Sequence, residues 1–225
     1  MKQQLSVLIV EDHPMAAKAY EKCFDLAASS SDKIDFKIEI AHNCDEAIQK
    51  INSASSADGL DIVFLDIGLP PSSDGVIKSG EDLGIWIRKI LPESKKMICT
   101  TFNTPIRISS ILKSIDPDAF LIKDEIEQED VILAVNNVLF STPHYSPTVL
   151  RAIRKSISFD NLVDNIDRQI LYELSIGSKM KDLPDIIPLS IAGIEKRKRI
   201  LKETFNLLDK DDRALILLAK DEGFI

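Results

Sequence analysis

Glu11, Asp12, Asp66 and Lys123 each stand at the end of a short apolar run in this 225-residue sequence. Val7-Leu8-Ile9-Val10 leads into Glu11-Asp12. Asp61-Ile62-Val63-Phe64-Leu65 leads into Asp66, and Ala119-Phe120-Leu121-Ile122 leads into Lys123. If these runs are strands of one parallel sheet, their C-terminal ends share an edge, and ligands bind outside that edge. Three carboxylates and one ammonium then converge. A carboxylate can attack a phosphoryl donor to give an acyl phosphate. The developing charge calls for a cation, and Mg2+ takes a few carboxylates together with waters. Asp12 and Asp66 supply direct ligands in this reading, Glu11 holds a metal-bound water, and the backbone carbonyl of Gly68 adds an oxygen. Lys123 pairs with a phosphate oxygen as a point charge. Thr100-Thr101 ends another apolar run, where a hydroxyl can bond a phosphoryl oxygen. Singly, each residue has a bland explanation as a helix cap, a solvated turn or a surface charge. The order and spacing carry the signal.

The elements that must position these residues alternate through the first 140 positions. Strands are expected at 5–10, 36–41, 61–66, 96–101 and 119–123, and the almost wholly apolar runs at 61–65 and 119–122 suit strands covered on both faces. Helical spacing appears at 14–27, 43–52, 80–90, 104–114 and 127–140. Pro14 suits a first helical turn, and Asn43 suits an N-cap. Five β-α repeats imply a doubly wound, five-stranded parallel sheet of the α/β class, with right-handed crossovers bringing all strand ends to one edge. Ser-rich 28–32 and 53–58 read as solvent loops. Pro70 through Gly80 is a longer, turn-rich loop beside Asp66, expected as a tolerated insertion in preference to functional cover.

After residue 140 the rhythm stops. Residues 147–155 look helical and basic and 156–163 look like a linker. From Asp164 the chain reads as short helices at 165–176, 179–187, 191–206 and 210–222. Asp164 and Asp167 resemble a capping box, and Gly177 ends the first helix. The organisation expected is an α/β domain at 1–145, a linker at 146–161 and a small all-α domain at 162–225.

Composition limits the function classes. The net charge is −8, and it is uneven: residues 1–150 hold 14 basic and 23 acidic side chains, residues 151–225 hold 14 and 13. Two modules with different partners follow. Cys23, Cys44 and Cys99 have no pair spacing and read as buried free thiols of a reduced compartment. The N-terminal apolar run is too short for a signal peptide, and no run has transmembrane length. A cytoplasmic protein without a membrane partner is expected.

The phrases LSVLIVEDHP, VFLDIGLP, MICTT and AFLIKD, in that order, give residues 1–145 a close likeness to known proteins. The segment resembles the flavodoxin-like receiver domain of two-component response regulators. The resemblance implies that Asp66 is the phosphoacceptor, that Glu11, Asp12, Asp66 and the Gly68 carbonyl hold Mg2+, and that Lys123 contacts the phosphoryl group. It makes Thr101 the switch hydroxyl, since Thr101 lies 22 residues before Lys123 as in the family. Phe120 falls at the aromatic switch position. The chain departs from the family in its Glu-Asp pair, in Asp124 after Lys123, and in the longer loop after Asp66.

In the back half, Ser190 can cap a helix carrying Glu195-Lys196-Arg197-Lys198-Arg199 and Lys202, with Ile194, Leu201 and Phe205 inward at helical spacing. A basic helix can enter the major groove of DNA, but a cluster of consecutive charges also suits a solvated helix with internal pairs such as Glu195 with Arg199. ILYELSIG, DLPDIIPLS, IEKRKRILKETF and RALILLAKDEGFI make residues 162–225 resemble the LuxR/FixJ-type (NarL-like) helix-turn-helix domain. The resemblance implies that Lys196 and Arg199 contact bases, with Glu195 beside them, and that Lys202 contacts a phosphate. Gly193 stands where the family has Thr, Glu195 where it often has Lys, and Ile166-Asp167 where it has Arg-Glu.

The function expected is a response regulator, phosphorylated on Asp66 by a histidine kinase with Mg2+, dimerising when phosphorylated and binding double-stranded DNA to change transcription. It is a switch and not a metabolic enzyme. A phosphorylation-controlled protein-interaction module is the alternative. A phosphohydrolase is disfavoured, because Asp66-Ile67-Gly68 lacks the second Asp such an enzyme places as general acid.

Overall fold

The computed structural model describes residues 2–29, 33–55, 59–160, 163–221 and 224–225, without the side chains of Ser55, residues 156–160 and Asp221. The strands are β1 (Gln3–Val10), β2 (Ile34–Ala41), β3 (Ile62–Asp66), β4 (Lys95–Thr100), β5 (Ala119–Ile122) and β6 (His144–Tyr145). Helices α1 (Pro14–Ser29), α2 (Cys44–Ser55), α3 (Gly80–Ile90), α4 (Pro105–Ile115) and α5 (Gln128–Leu139) alternate with them. The sheet is parallel throughout, in the order β2-β1-β3-β4-β5-β6. Among the described residues it therefore has six strands, not five. The sixth is a two-residue bridge, Ala119 with His144 and Phe120 with Tyr145. So short a strand has no periodicity to read, and Tyr145 Oη holds it by donating to the Pro117 carbonyl at 3.1 Å.

Hydrophobic pattern explains the layering. All five residues of β3 are buried, as a central strand covered on both faces requires. Edge strand β2 alternates exposed and half-buried positions. Val7, Ile9, Phe64, Met97 and Leu121 share one face of the sheet, packed with Phe24 and Ala27 of α1 and Val131, Ala134, Val135 and Val138 of α5. Phe24 meets Phe64 edge-on, with centroids 6.1 Å apart. The expected caps form: Glu46 N donates to Asn43 Oδ1 at 2.8 Å at the start of α2. Cys23, Cys44 and Cys99 are buried free thiols. Residues 28–29 and 53–55, expected in loops, are the last turns of α1 and α2, whereas 30–32 and 56–58 lie outside the described residues.

The chain forms two compact units, Met1–Asn103 with Ser110–Leu150 and Thr104–Ser109 with Arg151–Ile225, so the last boundary in sequence falls between Leu150 and Arg151. That point lies inside α6 (Pro147–Asp160), which takes up most of the expected linker. Residue 161, the last of that linker, lies outside the described residues. The second unit holds α7 (Asn165–Ser175), α8 (Ile191–Thr204) and α9 (Asp212–Asp221). The helix expected at 179–187 is reduced to one 3-10 turn, Leu183–Asp185, because Pro184 interrupts it. Residue 222, expected in the last helix, is outside the described residues. Two apolar clusters stabilise this unit. Leu171, Leu201, Leu215, Ala219 and Phe224 make one, and Ile170, Leu183, Ile187 and Ile194 make the other. Ile194 and Leu201 of α8 are buried, and Phe205 is half-buried against the first cluster. No helix among the described residues is long and apolar enough to cross a membrane.

Candidate functional site

The parallel register brings the acidic residues and the lysine to one edge of the sheet. Val10 pairs with Leu65 and Asp66 with Cys99, while Thr100 pairs with Ile122. Glu11 and Lys123 follow β1 and β5 directly, so they and Asp66 end adjacent strands at the same level. Alternation puts Glu11, Asp66 and Lys123 on the face of Ile9, Phe64 and Leu121.

Lys123 links two carboxylates there. Its Nζ donates to Asp66 Oδ2 at 2.8 Å and to Glu11 Oε2 at 2.7 Å. Glu11 is fully buried and Asp66 nearly so. Burial pulls the Lys123 ammonium down, but the hydrogen bonds and charges of Asp66 and Glu11 outweigh it and leave it above the ordinary lysine range. Asp66 Oδ1 accepts from the Gly68 N–H at 2.8 Å, so both of its oxygens are oriented. Cys99, the strand partner of Asp66, is no rival nucleophile: burial raises its thiol to about 12, although Tyr20 Oη stands 3.4 Å from the sulfur.

His13 is part of this edge. Its Nδ1 lies 2.8 Å from Asp12 Oδ1 and 3.4 Å from Glu11 Oε1. The hydrogen bond it donates to Asp12, and the charges of Asp12 and Glu11, raise its pKa. Ligand atoms of Glu11, Asp12 and His13 lie within 4.8 Å of one another. Asp66 is joined to that group through Lys123. The donors Glu11, Asp12, Asp66 and the Gly68 carbonyl are hard oxygens, and Glu11 is held ready in the interior, so the set suits Mg2+.

Two further residues shape the edge. A Cβ at Gly80 would come 2.1 Å from the Asp66 carbonyl oxygen. Glycine alone lets α3 begin against the backbone of Asp66, and Gly80 N donates to the Ile67 carbonyl at 3.2 Å. The intervening loop closes on itself: Ser72 N donates to the Ile77 carbonyl at 2.8 Å, and Ile77 N to Ser72 Oγ at 3.1 Å. Ser73 N donates to Asp45 Oδ2 at 3.0 Å, tying the loop to α2.

The threonines part company. Thr100 is fully buried and its Oγ1 accepts from Phe102 N at 3.3 Å. Thr101 is exposed, one residue past β4. Alternation places Thr101 on the Asp66 face, but no hydrogen bond among the described residues joins the two. Phe120 is fully buried in β5.

In the helical unit, Ser190 Oγ accepts from Gly193 N at 3.2 Å and caps α8. Asp164 and Asp167 cap α7 reciprocally. Packing sorts the basic cluster of α8. Arg197 Nη1 reaches Asp164 Oδ2 at 2.6 Å and Asp167 Oδ1 at 3.0 Å. Lys198 Nζ meets Asp212 Oδ2 at 2.8 Å, and Lys202 Nζ meets Asp212 Oδ1 at 2.7 Å. Lys202, expected to face a nucleic-acid phosphate, is thus paired with a carboxylate of the same unit. Lys196 and Arg199 are exposed, as are Glu195 and Glu203. Arg199 Nε lies 3.6 Å from Glu203 Oε1, an internal pair of the kind a solvated helix makes, formed here with Glu203 in place of Glu195.

Strand order and edge together define the first unit as a flavodoxin-like α/β sheet with acidic strand ends, and a helical region follows it in sequence. By sequence, the chain matches no protein-family model and no curated protein. By structure, it is similar to the RcsB response regulator of Salmonella typhimurium described for its conformational dynamism in DNA interaction. The TM-score is 0.67 at 17% identity, covering 95% of this chain and 98% of that one. RcsB of Salmonella enterica serovar Typhimurium, bound to promoter rprA with the phosphomimetic BeF3-, gives 0.61 at 17% identity over 98% and 100%. The isolated REC domain of that RcsB, with BeF3-, gives 0.54 at 17% identity over 67% and 99%. At such identities the likeness establishes the fold.

Proposed function

We propose that this chain is a cytoplasmic two-component response regulator whose phosphoacceptor is Asp66 and whose helical unit binds double-stranded DNA. The observation that carries the proposal is the Lys123 ammonium held between the buried carboxylates of Asp66 and Glu11. In the reaction, an Asp66 oxygen attacks phosphorus of a phosphohistidine on a partner kinase. The P–N bond breaks as the O–P bond of an acyl phosphate forms, and the imidazole leaves with its electron pair. Lys123 is placed to balance charge on a phosphoryl oxygen, and the Gly68 N–H orients the nucleophile. Mg2+ held by Glu11, Asp12, Asp66 and the Gly68 carbonyl would supply charge neutralisation for the transferred group. Thr101 then turns inward and Phe120 repacks, shifting a two-state equilibrium toward a DNA-binding dimer. The chemistry is that of a switch and not of a metabolic enzyme.

Lys196 and Arg199 are the side chains available to read bases. The neighbouring structures with promoter DNA support this reading. A second reading, in which the helical unit binds protein, draws on a specific observation: the outer face of α8 sets Glu195 and Glu203 against Lys196 and Arg199, so its charge cancels. The test is incubation with acetyl phosphate and Mg2+, then binding to selected and random duplexes. One phosphoryl group, absent from Asp66→Asn, and binding that gains on phosphorylation are expected. Labelling of Asp66→Asn at the wild-type level sinks the receiver assignment. Duplex binding absent at low salt passes the helical unit to the protein reading.

A further inference from the structure

We propose that Lys198 and Lys202 form a site for a nucleic-acid backbone phosphate, and that Asp212 is its resident competitor. The proposal rests on the DNA reading of the helical unit and adds what limits its affinity.

The two ammonium groups share one carboxylate, an oxygen each, at 2.8 and 2.7 Å. They are therefore spaced to grip any small oxyanion that presents two oxygens, and a phosphodiester has two non-bridging ones. Lys202 Nζ also donates to the Lys210 carbonyl at 2.9 Å, which fixes its head group independently of Asp212. The lysine side chains are only 19% and 15% exposed, whereas Asp212 is 40% exposed. The cations are thus built into the α8–α9 edge, and the carboxylate is the component nearer to water. Burial raises the Asp212 pKa, but Lys198 and Lys202 outweigh it and hold the group below the usual carboxylate range. The competitor is charged at neutral pH, and one carboxylate against two ammoniums leaves a net positive charge.

Asp212 has the advantage of being tethered. A backbone phosphate has the advantage of counterion release, which grows as salt falls. Asp212 therefore raises the threshold for binding any duplex and leaves discrimination to Lys196 and Arg199. A purely structural pairing of α8 with α9 predicts no such effect.

The experiment uses the full chain. Binding of a random duplex is measured over a salt series for wild type, Asp212→Asn and Asp209→Asn. The last changes net charge equally in the loop before α9. Asp212→Asn should bind about tenfold more tightly at low salt, with a log–log salt slope steeper by about one. Adding Lys198→Ala and Lys202→Ala should remove the gain, and Asp209→Asn should not reproduce it. Equal affinity and slope for Asp212→Asn and Asp209→Asn overturn the proposal. Inorganic pyrophosphate is titrated in parallel while the lysine Nζ resonances are followed. If neither protein binds duplex but Asp212→Asn gains pyrophosphate at Lys198 and Lys202, the anion site stands and the DNA reading falls. Should Asp212→Asn not fold, the wild-type resonances decide. Lys198 and Lys202 signals that shift with duplex support the site, and signals unmoved at saturation overturn it.

Discussion

Lys123 Nζ donates to Asp66 Oδ2 at 2.8 Å across 57 residues of sequence. The contact orients the proposed nucleophile and at the same time stabilises its buried charge. Glu11, buried more fully still, depends on the same nitrogen at 2.7 Å. Lys123→Met should leave the two buried carboxylates without their shared cation. We expect phosphorylation by acetyl phosphate to slow about a hundredfold, the scale for losing one preorganised donor. An unchanged initial rate of phosphorus-32 incorporation in a folded variant removes Lys123 from the mechanism.

The pH response of that contact has a definite sign. The folded Lys123 pKa is raised above the ordinary 10.5 by Asp66 and Glu11, against burial. Its stabilisation is complete below the unfolded value and is lost as pH rises through the higher folded one. Asp164 behaves oppositely. The Asp167 N–H and Arg197 hold its carboxyl below 3.8 despite partial burial. Its stabilisation is present above 3.8 and is lost as pH falls through the lower folded value. Denaturant midpoints across pH should show an alkaline loss removed by Lys123→Met and an acid loss reduced by Asp164→Ala. Asp164→Ala should also cost about 1 kcal/mol at neutral pH as a lost N-cap. Parallel curves for wild type and Asp164→Ala in acid contradict this assignment.

Gly80 meets the backbone of Asp66 with no room for a methyl group. Gly80→Ala should destabilise by about 1–3 kcal/mol, the scale for overpacking, and should slow phosphorylation because Asp66 is what must shift. Urea unfolding and acetyl phosphate labelling check the two effects together. A variant as stable and as active as wild type shows that α3 can move away without consequence.

Thr101 and Thr100 predict different failures. Thr101→Ala should leave Asp66 labelled normally and abolish the gain in DNA affinity on phosphorylation. Thr100→Val should change stability through the buried contact with Phe102 N and leave that coupling intact. Duplex binding with and without acetyl phosphate separates the two. Full coupling in Thr101→Ala returns the switch assignment to another residue.

Arg199 is exposed on α8 with Glu203 3.6 Å away. A base-reading arginine contributes about 1–3 kcal/mol of discrimination. Arg199→Ala should therefore flatten the preference between selected and random duplexes, and Lys196→Ala should weaken it. If both leave affinity and preference intact, α8 does not read DNA. Arg197→Ala should act differently, lowering thermal stability by freeing Asp164 and Asp167.

Residue order determined a large part of this protein. Alternating apolar runs and helical spacing are local properties, so β1 to β5, α1 to α5 and the edge they share were legible with shifts of at most three residues. Asp164, Ser190 and Asn43 were legible as caps because a cap acts over three residues. The chemistry of Glu11, Asp12, Asp66 and Lys123 was legible from strand ends, since a parallel sheet aligns them. Tertiary structure alone decided the pairings. His13 joined the acidic pair only when the turn after β1 folded back, although its adjacency in sequence was a signal available to be used. The exclusion of any side chain at Gly80 arises where α3 meets a strand end 14 residues earlier in the chain. The two-residue strand β6 exists only because β5 offers it an edge. In α8, five basic residues point all round the helix, and nothing local ranks them. Packing against α7 and α9 assigned Arg197 to Asp164 and Asp167, and Lys198 and Lys202 to Asp212, leaving Lys196 and Arg199 outward. Charge in a sequence has no direction until a neighbouring helix supplies one.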